Sequence, residues 1–327
     1  MTRFGYTLMG EGHGPRELVC NAVLAKGAGF DFAVFSDRDM TVNSNSIIGG
    51  NAGSNGNITL NSNTQVCGNV TPGPGKAVTL NSNATVTCGG NTTPAVERYD
   101  LPPVVADLSV NDNARICAAG GDACTDTGSI TWNATTRRLK LNSNSTITLG
   151  GNVYSFCYLE LNSNSQIIIP PKPAGSATKI YIDDPANCPS DSAPSPIDSG
   201  APNGLGGIWM SSNSKIVNQN PSAYSLQIYM LGSTTRETHA KFDSNATASD
   251  LKFVFYAPYS EVTLNSNVSF HGAFAAAQVY MDSNAQVVYD DSVEAIQNPA
   301  IYPQLRSKRW VECTRAPTTA NQHDSGC

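Results

Sequence analysis

The chain has 327 residues, a formal net charge of -6 and only 14% charged residues. The one short basic run, Arg306-Ser307-Lys308-Arg309, is too small for a basic nucleic-acid-binding face. No segment reaches the ~18 consecutive apolar residues of a membrane-spanning helix. Met1-Thr2-Arg3 opens no signal region, so we expect any export signal or membrane anchor to lie upstream of Met1.

Three regions are predicted in chain order. Residues 1–35 are interpreted as an N-terminal cap, because the segment Arg16–Ala25 is the one plausible short helix. Residues 36–291 are interpreted as one repetitive β domain. Residues 292–327, which leave the repeat pattern, are interpreted as a C-terminal cap and tail that covers the other open end.

One short motif, an apolar residue followed by Asn-Ser-Asn, recurs ten times in the predicted β domain. Its last position is Asn in all ten copies, and its middle position is Ser in nine. Successive copies are 18, 20, 30, 31, 20, 49, 32, 22 and 17 residues apart, so one repeat unit has about twenty residues and the longer intervals contain insertions. The ten last-position residues are Asn45, Asn63, Asn83, Asn113, Asn144, Asn164, Asn213, Asn245, Asn267 and Asn284.

Apolar and polar residues alternate around each copy with a period of two, as in residues 141–149, which is the periodicity of a β-strand. Short strands in a twenty-residue unit bury their apolar faces by stacking on the next unit. The sequence therefore predicts a right-handed parallel β-helix with coils ~4.8 Å apart, in which each Asn amide donates to the Asn carbonyl of the neighbouring coil. Asn also tolerates the left-handed backbone of a sharp corner.

Two points about this fold stay open at the level of sequence. The pattern does not decide whether the Asn ladder faces the core or the solvent. An antiparallel β-sandwich is a less favoured alternative, because its turn signals recur every ~8–12 residues and carry no fixed motif. A left-handed helix would show a six-residue period, which the sequence lacks.

Two insertions interrupt the repeats, at about residues 89–107 and 170–207. The second is rich in Pro, Ser, Gly and Asp, and contains Lys179–Asp183 as a predicted short strand. Loops on a rigid scaffold often carry function, so both are candidate binding regions, with solvated loops that bind nothing as the alternative.

Nine cysteines favour an oxidising compartment, and their odd number leaves at least one unpaired or intermolecular. No Cys-x-x-Cys pair supports a zinc site. Cys67 and Cys88 occupy similar positions after their motifs, so stacking brings them together and they are the preferred disulfide. Spacing alone does not fix connectivity; the other candidate pairs are Cys117 with Cys124, Cys157 with Cys188, and Cys313 with Cys327.

An enzymatic function needs weighing, because many right-handed β-helices cleave polysaccharides with paired carboxylates or a calcium site in a groove. Three acidic pairs are candidates, but each is more simply a set of turn or strand-end residues. The four histidines are scattered, and no hydrolase, zinc-protease or phosphate-loop motif occurs. We predict no catalytic residue, no metal and no cofactor. The acidic pairs are Asp37 with Asp39, Asp183 with Asp184, and Asp290 with Asp291; the histidines are His13, His239, His271 and His323.

Two stretches resemble PilX-like proteins, which are associated with bacterial type IV pili. Residues 255–274, FYAPYSEVTLNSNVSFHGAF, and 277–290, AQVYMDSNAQVVYD, resemble the family pattern YAPxAxVxLNGN…GAxxAxxVxLNGNxxxHYD. Residues 32–45, FAVFSDRDMTVNSN, look like the family's first coil. The resemblance covers about residues 32–310, with Ser in place of the family's usual Gly. It implies a parallel β-helix and a role as a minor pilus component, a pilus tip or a cell-surface adhesin.

The favoured function is therefore an exported structural or adhesive protein of the cell surface or pilus. Its expected partners are pilus subunits and cell-surface or polysaccharide ligands, with end-to-end self-association through open strand edges. One alternative is a polysaccharide lyase or hydrolase of the β-helix type. A second is an ice- or surface-binding protein, because outward Asn-x-Asn pairs would form a regular polar array.

Overall fold

The computed structural model describes residues 30–116, 128–189, 205–232, 235, 238–243, 245 and 251–296, and the backbone of three further strands at residues 2–8, 16–24 and 305–313. Across these residues the secondary structure consists of strands and short 3-10 helices. The prediction of a mostly β protein is confirmed. No helix among the described residues is long and apolar enough to span a membrane.

Two compact units divide the chain, and the first is built from both ends of it. Met1–Gly27 and Tyr302–Cys327 form this terminal unit, and Ala28–Ile301 form the second. The terminal unit contains an antiparallel sheet of β1 (Thr2–Leu8), β2 (Arg16–Leu24) and β26 (Leu305–Cys313), with β2 in the middle. The roles of residues 1–35 and 292–327 as caps stay predictions.

The helix predicted over residues 16–25 is wrong, because Arg16–Leu24 is the strand β2. Helical propensity is a weak preference that tertiary pairing overrides. Here β2 pairs along its length with β1 on one side and with β26 on the other, and no local sequence signal reports a partner that lies almost 300 residues away in the chain.

The described part of the second unit contains 23 strands, most of them short. In chain order they are β3 (Val34–Ser36), β4 (Met40–Val42), β5 (Ile47–Gly49), β6 (Ala52–Ser54), β7 (Ile58–Leu60), β8 (Gln65–Cys67), β9 (Val70–Thr71), β10 (Val78–Leu80), β11 (Thr85–Thr87), β12 (Ile130–Asn133), β13 (Arg138–Leu141), β14 (Thr146–Thr148), β15 (Val153–Phe156), β16 (Tyr158–Leu161), β17 (Gln166–Ile169), β18 (Thr178–Ile182), β19 (Gly207–Met210), β20 (Lys215–Asn218), β21 (Leu226–Met230), β22 (Thr238–Phe242), β23 (Lys252–Leu264), β24 (Ser269–Met281) and β25 (Gln286–Tyr289).

These strands form one sheet of 20 strands and one of three, β14, β17 and β20. The described pairings of the unit are parallel except the β12–β13 pair, which is antiparallel. A large, mostly parallel sheet is therefore present, as predicted. The strands that precede the motifs pair in the order β13, β16, β19, β22, β23, β24, β4, β7 and β10.

At one point in this order, strands from the beginning and the end of the second unit pair with each other, which the spacing of the motifs does not reveal. We call this pairing the jump. The first repeat pairs with the last, since Tyr280 in β24 lies opposite Thr41 in β4 and Phe274 lies opposite Val34 in β3. The hydroxyl of Tyr289 also donates to the carbonyl of Phe30, at 2.6 Å. The first and last described strands of the second unit therefore lie side by side, where residues 34–42 pair with residues 274–281.

The core lies on one face of these strands and follows the period of two. The residue before each motif is one column of this core, and it is buried in eight of the nine paired copies. The exception is Leu80 in the outermost strand β10, which is 46% exposed. The buried members of the column are Leu141, Leu161, Met210, Phe242, Leu264, Met281, Val42 and Leu60.

The first insertion is the connection that this jump requires. To reach β12, which lies beyond β13, the chain must pass back from β11 across about nine strand spacings of ~4.8 Å, or roughly 43 Å. Tyr99 and Leu101 pack on a second apolar cluster outside the main core, and the hydroxyl of Tyr256 donates to the carbonyl of Pro102 at 2.6 Å. We call residues 89–112 the connecting segment.

The second insertion is only partly described, because residues 190–204 lie outside the described residues. Its predicted strand is present as β18, which pairs with β15 and β21. A 3-10 helix, Pro185–Asn187, follows this strand.

Candidate functional site: the asparagine columns and a charged pocket

The last Asn of nine motif copies adopts the left-handed backbone conformation. Their φ angles lie between 57° and 69°, a region that Asn visits more readily than most residues with a side chain. All nine are exposed. The next residue returns the chain to the core and is buried in seven of these nine copies, as at Ser46 and Thr64. These turns therefore form a solvent-facing edge.

Hydrogen bonds join these Asn residues into a column. In seven of these copies the backbone N–H of the Asn donates to the middle residue of the neighbouring copy, as from Asn45 to the carbonyl of Ser62 at 3.0 Å. At the jump, Asn284 donates to the carbonyl of Ser44, also at 3.0 Å, so the column continues from the last copy to the first. Side-chain amides donate to the neighbouring side-chain carbonyl from Asn63 to Asn45, Asn83 to Asn63, Asn164 to Asn144 and Asn267 to Asn245, at 3.1 to 3.4 Å.

The first position of the motif forms a parallel column. The amide of Asn61 donates to the side-chain carbonyl of Asn43 at 2.8 Å, and Asn81 donates to Asn61 at 2.7 Å. Where Asp replaces Asn the carboxylate accepts, as from Asn265 to Asp243. Because Asp has no amide hydrogen, it is compatible with a step of this column only as the acceptor.

The remaining copy, which is the fourth in chain order and ends at Asn113, is not part of these columns. It begins the 3-10 helix Asn113–Arg115, and its side chain bonds both backbone groups of Ser155, at 2.7 and 3.1 Å. The middle residue of this copy is Asp112 instead of Ser, and its carboxylate accepts from the backbone N–H groups of Asn152 and Val153. This copy therefore anchors the end of the connecting segment.

Two disulfides lie in the described residues. Cys67, at the end of β8, is bonded to Cys88, which follows the neighbouring strand β11. Cys157, between β15 and β16, is bonded to Cys188 behind the 3-10 helix of the second insertion. Of the other candidate cysteines, Cys117, Cys124 and Cys327 lie outside the described residues, and only the backbone of Cys313 is described.

The first acidic pair makes local contacts. Asp39 accepts from the backbone N–H of Asn57 at 2.7 Å. Asp37 forms an ion pair with Arg98 of the connecting segment at 2.7 Å and accepts from the amide of Asn55 at 2.6 Å. Both carboxylates therefore stabilise the turn after β3 by joining it to neighbouring chain segments.

The other two acidic pairs also have structural contacts. The buried Asp183 pairs with Arg137 at 2.8 Å, and Asp184 caps the helix Pro185–Asn187. Asp290 caps the helix Asp291–Ala295 and accepts from the backbone N–H of Ala223. Burial acts to raise the pKa of Asp290, but hydrogen bonds from Ser292 and Ala223 outweigh it and hold that pKa below its usual value.

The histidines do not come together with these carboxylates as a set. His239 lies in β22 opposite Glu261, and His271 lies in β24 opposite Val288 of β25. His13 and His323 lie outside the described residues. Within the described part of the chain, no group of three or more His, Cys, Asp or Glu side chains is arranged to hold a metal ion.

A cavity of about 340 Å³ lies between the connecting segment and the corners of the sheet. Its wall carries two carboxylates and two guanidinium groups, from Asp37, Asp100, Arg38 and Arg98, together with Tyr259. The motif search did not find this cavity, because its residues come from chain positions far apart and none belongs to a motif copy.

A third column of Asn side chains lies outside the motif, and the motif pattern does not predict it. The side-chain carbonyl of Asn51 accepts from the backbone N–H of Asn69 at 2.9 Å, and that of Asn69 accepts from Asn91 at 3.1 Å. A Gly precedes each of these residues in the sequence. At Gly68 a Cβ would lie 2.7 Å from the carbonyl of Gly50, so the close stacking excludes a side chain. The repeated Gly-Asn dipeptide was the available signal.

Comparisons with known proteins give limited information. Residues 202–296 match a family described as a domain of unknown function, DUF7305. This region contains β19 to β25 and covers fewer than half of the residues. A search of curated proteins finds no match. Among solved structures, the competence-associated pilin ComZ from Thermus thermophilus matches with 10% identity over 92% of this chain and 77% of that chain, with a TM-score of 0.25. A TM-score this low supports no argument.

Proposed function

We propose that the chain is an exported structural and adhesive protein of the cell surface or pilus, built on a right-handed parallel β-helix. Parallel pairing in register supports the β-helix, since nine motif copies lie on successive strands. The two disulfides are consistent with an exported protein, because such bonds persist in oxidising compartments.

One observation carries the pilus-associated part of the proposal. The two stretches that resemble PilX-like proteins, residues 32–45 and 255–290, are far apart in sequence but pair directly. Phe255 lies opposite Phe274, and Phe274 lies opposite Val34. The resemblance therefore falls on one continuous block of the structure instead of on two unrelated segments.

The outermost strands favour an interaction with another chain. Among the described residues, β10 pairs with β7 and β11 pairs with β8, each along one edge. No described strand pairs with the other edge of β10 or β11, and Leu80 in β10 is exposed. Unpaired strand edges recruit further strands, so we propose this edge as the contact for self-association or for a pilus subunit.

The two alternative functions receive less support. The row of side chains on the strand face opposite the core is irregular, with Lys140, the buried Glu160 and Trp209 in successive strands, whereas ice binding needs a flat, uniform array. A polysaccharide-cleaving enzyme needs carboxylates that can act on the substrate. In the three acidic pairs, the carboxylates with described partners are already engaged in helix caps and ion pairs.

The test is the location of the protein in its native cells. An epitope tag inserted in the exposed turn at Gly75 is expected to be accessible to antibody on intact cells and to copurify with sheared pili. A control tag on a cytoplasmic protein should stay inaccessible. Recovery of the tagged chain only after lysis would contradict the surface role, and surface exposure without copurification would remove the pilus association alone.

A further inference from the structure

The charged pocket beside the connecting segment is held in place before any ligand binds. Arg98 contacts both carboxylate oxygens of Asp37 at 2.7 Å. Asn55 donates to the same carboxylate and bonds both backbone groups of Tyr99, at 2.6 and 2.9 Å. These bonds attach the connecting segment to the corner after β3. A ligand therefore meets fixed groups and does not need to order them.

The charges on the wall of this pocket cancel. Asp37 and Asp100 supply two negative charges, and Arg38 and Arg98 supply two positive charges. A pocket of this kind gives no net attraction to an anion or to a cation. Arg98 binds Asp37 through one of its nitrogens. A guanidinium has five N–H donors and a carboxylate has about four acceptor positions, so this ion pair can also bind neighbouring hydroxyl groups that both donate and accept.

The rest of the lining is apolar or aromatic. Leu101, Pro258 and Tyr259 contribute to the wall, and Tyr259 is partly exposed. A sugar ring combines hydroxyl groups at its rim with C–H groups on its face, so it matches both parts of the lining. The volume of about 340 Å³ lies at the lower end of the range for small-molecule sites, which limits the ligand to one or two rings.

We propose that this pocket binds a neutral carbohydrate, as a single residue or the end of a glycan. The proposal rests on the adhesive function proposed above and names the class of its ligand. The pocket lies within the second unit, on residues 37–38, 98, 100–101, 258–259 and 277.

Ligand-observed NMR and calorimetry on the full chain test the proposal. The probes are the methyl glycosides of glucose, galactose, mannose and N-acetylglucosamine, with galacturonic acid as the charged comparison. At least one neutral probe is expected to bind with a dissociation constant in the millimolar range or tighter. Arg98→Ala is expected to weaken this binding about tenfold or more, because it removes a charged hydrogen-bond donor.

Two further variants make the result decisive. Tyr259→Ala, which removes the aromatic ring from the wall, is expected to weaken binding as well, whereas Lys76→Ala, in an exposed turn, should bind like the wild type. Circular dichroism checks that each variant is folded. No binding of any neutral probe, preference for galacturonic acid, or unchanged binding in both pocket variants would overturn the proposal. A surface-exposed chain that binds no sugar would leave the surface role standing.

Discussion

Asn63 tests the physical role of the asparagine column. Its φ is 59°. Its amide donates to Asn45 at 3.1 Å, and its side-chain carbonyl accepts from Asn83 at 3.2 Å. Asn63→Ala removes two hydrogen bonds, each with a net value of about 0.5 to 1.5 kcal/mol, and places a Cβ residue without a polar side chain in the left-handed region, at a cost of about 1 kcal/mol or more. We expect the free energy of unfolding to fall by about 2 to 4 kcal/mol.

Asn63→Gly separates the two contributions. Gly adopts positive φ without steric cost, so this variant loses the hydrogen bonds but avoids the backbone strain. We expect it to be more stable than the Ala variant by about 1 kcal/mol, although Gly is usually the less favourable of the two. Urea unfolding followed by circular dichroism measures both, with Ser82→Ala in an exposed motif position as the control. A Gly variant less stable than the Ala variant would refute the reasoning.

Three other predictions follow from the same structure. Gly68→Ala should destabilise the fold by about 3 kcal/mol or more, because φ is 148° and the new Cβ would lie 2.7 Å from Gly50. The control Gly75→Ala, with open space around its Cβ, should cost about 1 kcal/mol. Equal losses of stability in thermal unfolding would disprove the close stacking at Gly68. Replacing Cys67 and Cys88 together by Ser should lower stability by about 3 kcal/mol, as expected for a loop with a sequence separation of 21, and an unchanged urea midpoint would argue against this bond. Because hydrogen bonds from Ser292 and Ala223 hold the folded-state pKa of Asp290 below its ordinary value, its carboxylate stabilises the fold above that ordinary pKa. This contribution is lost as the pH falls through the folded pKa. The stability difference between wild type and Asp290→Asn should therefore shrink on acidification, and a difference that grows would contradict the assignment.

The repeat and its turn chemistry could be predicted from the sequence, because both are local. A period of two marks strands, and Asn at a fixed position marks a left-handed corner, as at Asn45 and Asn267. The close approach of Cys67 and Cys88 also follows from their similar positions in neighbouring repeats. In each of these cases the information lies within about twenty residues.

The order of the strands could not be predicted, because motif spacing does not say on which side of a repeat the next one adds. Tyr280 and Thr41 are in register although 239 positions separate them. The pocket depends on the same jump, because the connecting segment that supplies Arg98 exists to bridge it. Strand β2 was missed for a related reason, since its pairing with β26 joins opposite ends of the chain. At Asn113, the Asp in the middle of the motif was the signal that this copy differs.

Cross-linking at the jump tests the central structural claim most directly. In the double variant Thr41→Cys with Tyr280→Cys, the two new thiols lie on paired parallel strands ~4.8 Å apart, a separation that a disulfide can span. Peptide mapping by mass spectrometry after mild oxidation should find residues 41 and 280 joined, as efficiently as residues 41 and 59 in the matched pair Thr41→Cys with Thr59→Cys. A 41–59 bond without a 41–280 bond would contradict the account, because the repeats would then follow chain order.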